Sequence, residues 1–290
     1  MKIIRTVREL QELADRERTM GRRIGLVPTM GALHAGHMEL VRVAAEHAHA
    51  VWVSIFVNPT QFGPNEDLDA YPRTFEADCE ACEAAGVEVI FAPEPSEMYP
   101  DGARTWVDVA ELSEPLCGAS RPGHFRGVAT VVAKLFLAAK PHVAVFGEKD
   151  YQQLAVIRKM VRDLGFDLEI VGGPTTREAD GLALSSRNRR LASLARRQAR
   201  VVPEALAAAE RAFASGERRS GALLELAIRE IEKSPLAEID YLELRHPESL
   251  QEVPEHIPKD ALLALAVFFP AADGGARVRL IDNRVLRDGV

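Results

Sequence analysis

Residues 24–47 read IGLVPTMGALHAGHMELVRVAAEH, and their pattern decides the fold. Ile24 to Val27 is apolar at every position, as a strand buried on both faces must be, and the segment from about Met38 to His47 has helical spacing. Similar apolar runs recur at Val51 to Val57, Val87 to Phe91, Val143 to Phe146 and Leu168 to Val171. Helical stretches at about Phe75 to Ala85, Val128 to Ala139 and Tyr151 to Leu164 alternate with them. Strands of this kind require a parallel sheet covered on both faces, so the first part of the chain is predicted to be a doubly wound, Rossmann-like α/β domain. Ahead of it, Thr6 and Glu9 form a capping box for a first helix that carries Val7, Leu10, Leu13 and Ala14 at helical spacing.

The rhythm changes after Pro174. Two helices, at about Leu191 to Phe213 and Leu223 to Glu232, are expected around a break at Gly216 to Gly221. Ile239 to Leu244, Leu262 to Phe269 and Val278 to Leu286 then read as strands, with no helix between the last two. This predicts a smaller α+β domain with antiparallel pairing, and the expected domains are 1–176 and 177–290.

The 290 residues include 36 Lys and Arg against 43 Asp and Glu, a net charge of −7, with 47% hydrophobic and 27% charged residues. Such a chain can bury a sizeable core, and its acidic balance argues against nucleic acid as a partner. The N-terminal MKIIRTVREL has charges where an export signal needs an apolar stretch. The longest clean apolar run, Ala261 to Phe269, falls short of the ~20 residues that span a bilayer, so no membrane segment is expected. Cys79, Cys82 and Cys117 are too few for a secreted disulfide framework, and a cytoplasmic location follows. Cys79 and Cys82 form a CxxC, but they lie mid-helix among Asp78, Glu80 and Glu83, which favours packing over redox chemistry.

The most informative segment for chemistry is the loop from Pro28 to Met38. Ligands of open α/β sheets bind beyond the carboxyl ends of strands, where backbone N–H groups and a helix N-terminus favour anions. Gly31 and Gly36 allow close backbone approach, and His34 and His37 share one face of a nascent helical turn. Polyphosphate binding by two protonated imidazoles is one reading, and a chance loop or a helix cap is the other. A metal pair lacks a third ligand at a recognisable spacing, and neither GxGxxG nor GxxxxGK[ST] is present. A second cluster, Gly147, Glu148, Lys149 and Asp150, follows the Val143 strand, with Gln152 and Gln153 opening a helix. A third, Ser185, Ser186, Arg187, Asn188, Arg189 and Arg190, stands after Leu184 as another possible anion site. The long loop from Asn58 to Arg73 has the length of a lid or binding loop.

Taken in order, PTMGALHAGH, NPTQF, FGEKDYQQ and DGLALSSRN make the chain resemble the pantoate-beta-alanine ligase family of the HxGH nucleotidyltransferases over essentially its whole length. The resemblance implies that pantoate and ATP form pantoyl adenylate and pyrophosphate, and that β-alanine then attacks to give pantothenate and AMP. It also implies Mg²⁺, a homodimer and a C-terminal domain that closes over the nucleotide. By the same resemblance the ATP site comprises Met30, Gly31, Ala32, Leu33, His34, Ala35, Gly36, His37, Gly147, Glu148, Lys149, Asp150, Thr176, Leu184, Ser185, Ser186 and Arg187. His34, His37, Lys149, Ser185, Ser186 and Arg187 are the expected catalytic set. Asn58, Gln61 and Gln153 are the expected contacts to pantoate and β-alanine. No protein metal ligand is assigned; Asp78 is a possible contact to magnesium without being committed to that role. Leu184 and Thr176 depart from residues common in relatives, and backbone or apolar contacts are expected at both. The competing reading is a nucleotidyltransferase of the same superfamily that adenylylates another small acid or a phosphate.

Overall fold

The computed structural model describes residues 1–63, 68 and 71–288, so part of the 58–73 loop lies outside the described residues. The chain forms two compact units, one of 1–113, 121–148 and 153–174, the other of 114–120, 149–152 and 175–290. In chain order the elements begin with β1 (Lys2–Ile4), α1 (Val7–Thr19), β2 (Ile24–Thr29), α2 (Ala35–His47), β3 (Ala50–Ile55), α3 (Phe75–Ala84), β4 (Val89–Phe91) and α4 (Pro95–Met98). They continue with α5 (Cys117–Ser120), α6 (His124–Ala139), β5 (Val143–Gly147), α7 (Tyr151–Leu164) and β6 (Glu169–Gly173).

These six strands form one sheet in the order β1-β4-β3-β2-β5-β6, and every neighbouring pair is parallel. The doubly wound α/β expectation therefore holds. From β2 the chain first builds outward through β3 and β4, then returns to place β5 on the other side of β2. This reversal opens a crevice at the carboxyl ends of β2 and β5. Gly25 pairs with Val143 and Leu26 with Ala144, so Thr29 and Gly147 end at the same level. β1 is absent from the sequence reading because only Ile4 of its three residues is buried and charge flanks it. The Thr6 cap is present, with its hydroxyl accepting from the Glu9 N–H at 3.3 Å. α2 starts three residues earlier than expected because His34 caps it.

The second unit adds α8 (Ser193–Gln198), α9 (Val201–Ala214), α10 (Ser220–Ile231), β7 (Glu238–Arg245), β8 (Ala261–Phe269) and β9 (Val278–Leu286). Its three strands pair antiparallel in the order β7-β8-β9. Leu206, Phe213, Leu223 and Ile231 from α9 and α10 pack with Leu263, Leu265, Val267 and Phe269 of β8. The single helix expected over 191–213 is broken in two. Pro203 has no N–H and its ring would strike the Ala199 carbonyl, so a new helix begins with Pro203 in its first turn, where proline is tolerated. The two short segments of this unit are tied in by side chains. Ser120 donates to Asp240 at 2.9 Å, Gln152 bonds both the Cys117 N–H and the Pro115 carbonyl, and Asn283 donates to the Lys149 carbonyl at 2.8 Å.

Asp282 on β9 has a fully buried side chain and accepts two bonds from Arg177, at 2.6 and 3.0 Å. Removing one partner of such a pair strands the other charge. Asp282→Ala is expected to lower stability by about 3 kcal/mol in urea unfolding, and a loss below about 1 kcal/mol would contradict this account.

Candidate functional site

The loop from β2 to α2 is shaped by hydrogen bonds that the local sequence does not supply. Thr29 donates its hydroxyl to the Ser54 carbonyl at 2.7 Å and accepts the Gly31 N–H at 3.2 Å. Gly31 (φ +83°) and Ala32 (φ +51°) are then both left-handed. A Cβ at Gly31 would lie 3.0 Å from Asp78 Oδ2 and 3.2 Å from Ile55 Cγ2, so glycine is required for space as well as conformation. Asp78, on α3 and 3% exposed, accepts the Ala32 N–H at 3.0 Å, the Leu33 N–H at 2.8 Å and the Thr74 hydroxyl at 3.1 Å. Each bond to a charged acceptor contributes about 1.5–3 kcal/mol, which more than offsets the roughly 1–2 kcal/mol of a left-handed alanine.

The two histidines cap α2 reciprocally. His34 Nδ1 accepts the Gly36 N–H at 3.2 Å, and His37 Nδ1 accepts the His34 N–H at 3.3 Å. Their rings lie 4.1 Å apart, tilted by 37°. A ring nitrogen that accepts from a backbone N–H carries no proton, so in this arrangement Nε2 is the nitrogen of each ring left to donate. Ala35 and Gly36 open α2, the Gly36 N–H being spent on His34 and the Ala35 N–H lying at the same end.

Beside this loop stands a 3₁₀ turn at Pro59–Gln61, capped by Asn58. Gln61 Nε2 lies 3.2 Å from the Met30 sulfur, which joins the turn to the loop. The turn also packs against α6 so closely that a Cβ on Gly127 would sit 2.3 Å from the Thr60 carbonyl oxygen. Gly147 ends β5, while the Glu148 side chain turns over β6, where a Cβ on Gly172 would meet it at 2.9 Å. Gln153 is half-buried in the first turn of α7. The first unit thus brings together Met30, Gly31, Ala32, Leu33, His34, His37, Asn58 and Gln61.

The remaining predicted residues belong to the second unit. Lys149, 20% exposed at its side chain, has Asp150 at 3.7 Å. Thr176 and Leu184 are paired by a backbone bond of 2.9 Å at the base of a turn. Ser185 caps the 3₁₀ turn Ser186–Arg190, accepting the Arg187 N–H at 3.3 Å. Buried Asn188 steadies that turn by donating to Glu178 and to the Ala183 carbonyl.

A family model described as pantoate-beta-alanine ligase matches residues 2–285. The chain belongs to the pantoate-beta-alanine ligase family. A pantothenate synthetase from Solidesulfovibrio magneticus is 55% identical over 290 residues, covering 99% of each chain. A crystal structure of pantothenate synthetase from Thermus thermophilus has a TM-score of 0.91 at 46% identity, over 99% of this chain and 100% of that one. A second solved relative, a pantoate-beta-alanine ligase from Francisella tularensis complexed with beta-gamma ATP and beta-alanine, has a TM-score of 0.76 at 32% identity, over 100% of this chain and 99% of that one. As a member of this family the chain is a ligase with an ATP-binding, Rossmann-like fold and acts in pantothenate biosynthesis.

For a pantoate-beta-alanine ligase the resemblance implies magnesium, and the side chains can be tested against that. Among the described residues no cluster of three His, Cys, Asp or Glu could hold a metal ion. Asp78, the acidic group against the loop, has both oxygens engaged by backbone N–H groups. The described residues therefore do not form a protein metal centre, and no step is assigned to one. The adjacent glutamines also separate: Gln152 is buried and clamps 115–117, whereas Gln153 has no such engagement among the described residues. Tyr99, Thr60, Arg121, His124 and Gly127 support Gln61 and escape sequence reading, since they are distant in the chain and form no motif.

Asp78→Ala is expected to raise the KM for ATP at least about tenfold, the scale of one lost charge-assisted bond, with a lower melting temperature and an unchanged requirement for Mg²⁺. Pyrophosphate exchange titrated with ATP and with Mg²⁺ measures both, and an ATP KM within threefold of the parent would contradict the role. The CxxC thiols are free, and burial pushes Cys82 up to about 12, with Cys79 and Asp78 adding to the effect, while burial also raises Cys79. A raised thiol stays protonated below its pKa, so neither is expected to react appreciably with iodoacetamide at pH 7.5 in the native protein, as counted by mass spectrometry.

Proposed function

We propose that this ligase condenses (R)-pantoate with β-alanine through a pantoyl adenylate, using ATP and releasing pyrophosphate and then AMP. The observation that carries the reading is the histidine pair at the N-terminus of α2, where backbone N–H groups engage both Nδ1 atoms and so make Nε2–H the donor of each ring, at the switch point of the sheet. A carboxylate attacking the α-phosphorus must overcome charge repulsion, and positioned donors on the phosphate oxygens supply what the reaction needs. His34 and His37 take this role, with the N–H groups at the start of α2.

Lys149, Ser185, Ser186 and Arg187 contribute further donors to the triphosphate, with Gly147, Glu148, Asp150, Thr176 and Leu184 along the nucleotide. Gln61 and Gln153 bind pantoate through amide groups, and Met30 lies against its methyl groups. Asn58 belongs to the same substrate site. We assign the ATP- and pantoate-binding domain to 1–176 and the lid to 177–290. Mg²⁺, were it to accompany the triphosphate, would offset phosphate charge without needing a protein carboxylate. A homodimer is supported by the family resemblance and by β6, an edge strand whose Ile170 and Val171 are only half-buried. A cytoplasmic location is supported by three free cysteines.

Incubation with ATP, Mg²⁺, pantoate and β-alanine is expected to yield pantothenate and AMP by mass spectrometry; neither product forming would overturn the proposal. His37→Ala and Lys149→Ala are each expected to slow pantoate-dependent pyrophosphate exchange by about 10²–10³-fold, the scale of one lost transition-state donor. Near-parental exchange in both would remove their assigned roles.

A further inference from the structure

Asn58 is 1% exposed, and its amide lies between two backbone groups that cannot exchange donor for acceptor. The Thr60 N–H must meet an oxygen and does so at Oδ1, 3.3 Å away, while the Gly127 carbonyl must meet an N–H and does so at Nδ2, also 3.3 Å away. The hydroxyls of Thr60 and Tyr99 both reach Oδ1 at 2.9 Å, which strengthens the same orientation. The second hydrogen on Nδ2 then goes to Gln61 Oε1 at 3.0 Å. That bond fixes the neighbouring amide as well. With Oε1 taken, Gln61 turns Nε2 the other way, toward the Met30 sulfur, a weak acceptor that is readily replaced.

The backbone beneath is equally constrained. The Gln61 carbonyl accepts from Arg121 Nη2 at 3.2 Å and from His124 Nδ1 at 2.8 Å, and the close approach of Gly127 to Thr60 leaves no room for the turn to slide.

We propose that Asn58 is a positioning residue that acts through Gln61, holding its amide so that it donates an N–H to a lone pair of the bound hydroxy acid, a carboxylate or hydroxyl oxygen, and does not offer its carbonyl. This rests on the reading of Gln61 as a pantoate contact and refines it. Asn58 itself spends both amide hydrogens on Gln61 and Gly127. Tyr99 belongs to the same relay, because its hydroxyl donates to the oxygen whose placement sets the rest.

Gln61→Glu separates the two possible orientations. One carboxylate oxygen can still accept from Asn58, while the other places negative charge where the N–H stood. At pH 8 the KM for pantoate is expected to rise about 100-fold or more, as like charge against a substrate carboxylate costs, with the KM for ATP within twofold of the parent. Lowering the pH toward 5 favours the protonated form of the new carboxyl, whose ordinary pKa of about 4.3 is raised by the charge of the bound acid, and the defect relative to the parent should shrink at least about tenfold. A pantoate KM within threefold of the parent at pH 8 would overturn the orientation. Asn58→Asp is the second variant, with folding checked by thermal melting and by its ATP KM. It is expected to show the same pantoate-selective loss, and the double variant no more than threefold beyond the worse single one. Losses that multiply would mean that Asn58 contacts substrate independently and would overturn the relay. Pantothenate formation by the parent is the control: a parent that fails there defeats the functional reading, whereas an active parent with an unaffected Gln61→Glu variant defeats only the orientation.

Discussion

Two backbone N–H groups, at Ala32 and Leu33, end on the buried carboxylate of Asp78, and the geometry of the loop between β2 and α2 depends on that contact. It offsets the cost of the consecutive left-handed conformations at Gly31 and Ala32, just ahead of the His34 cap of α2. The contact lies between segments about forty-five residues apart. It exists because β2, β3 and β4 are neighbours in one parallel sheet and bring α3 beneath the loop. A helix on the flank of the sheet thereby sets the shape of the site.

The same logic recurs at the candidate residues His34, His37 and Gln61 of the first unit. His34 and His37 are oriented by backbone N–H groups, which make Nε2 the donor on each ring. Gln61 is oriented through Asn58, which is itself set by a backbone donor and a backbone acceptor. Backbone groups cannot flip, so polar side chains referenced to them keep a fixed sense of donor and acceptor. Such preorganisation lowers the reorganisation that binding and catalysis would otherwise require.

The second unit meets a related problem by other means. Lys149 follows a strand of the first unit directly, yet its carbonyl is held by Asn283 of β9 and the neighbouring Gln152 clamps residues 115–117. The buried Arg177–Asp282 pair holds the start of the segment that leads to Ser185. Charged and amide side chains therefore do the tying where short segments lack the apolar area to pack on their own.

The alternation of apolar strands and helices, the change of rhythm after Pro174 and the family motifs are local patterns, so the sequence alone determined the two-part architecture and the candidate residues. Hydrophobic periodicity encodes which face of an element is buried, and a motif encodes residue types at close spacing. The break at Ala199 was also legible in principle, since Pro203 announces it locally. What only the tertiary structure decided was the ring orientation of the histidine pair, the hold of Asp78 on the loop, the distinction between Gln152 and Gln153, and the direction of the Gln61 amide. Each depends on a hydrogen-bond partner brought close by sheet order or by a closely packed turn, and no spacing along the chain records which partner that will be.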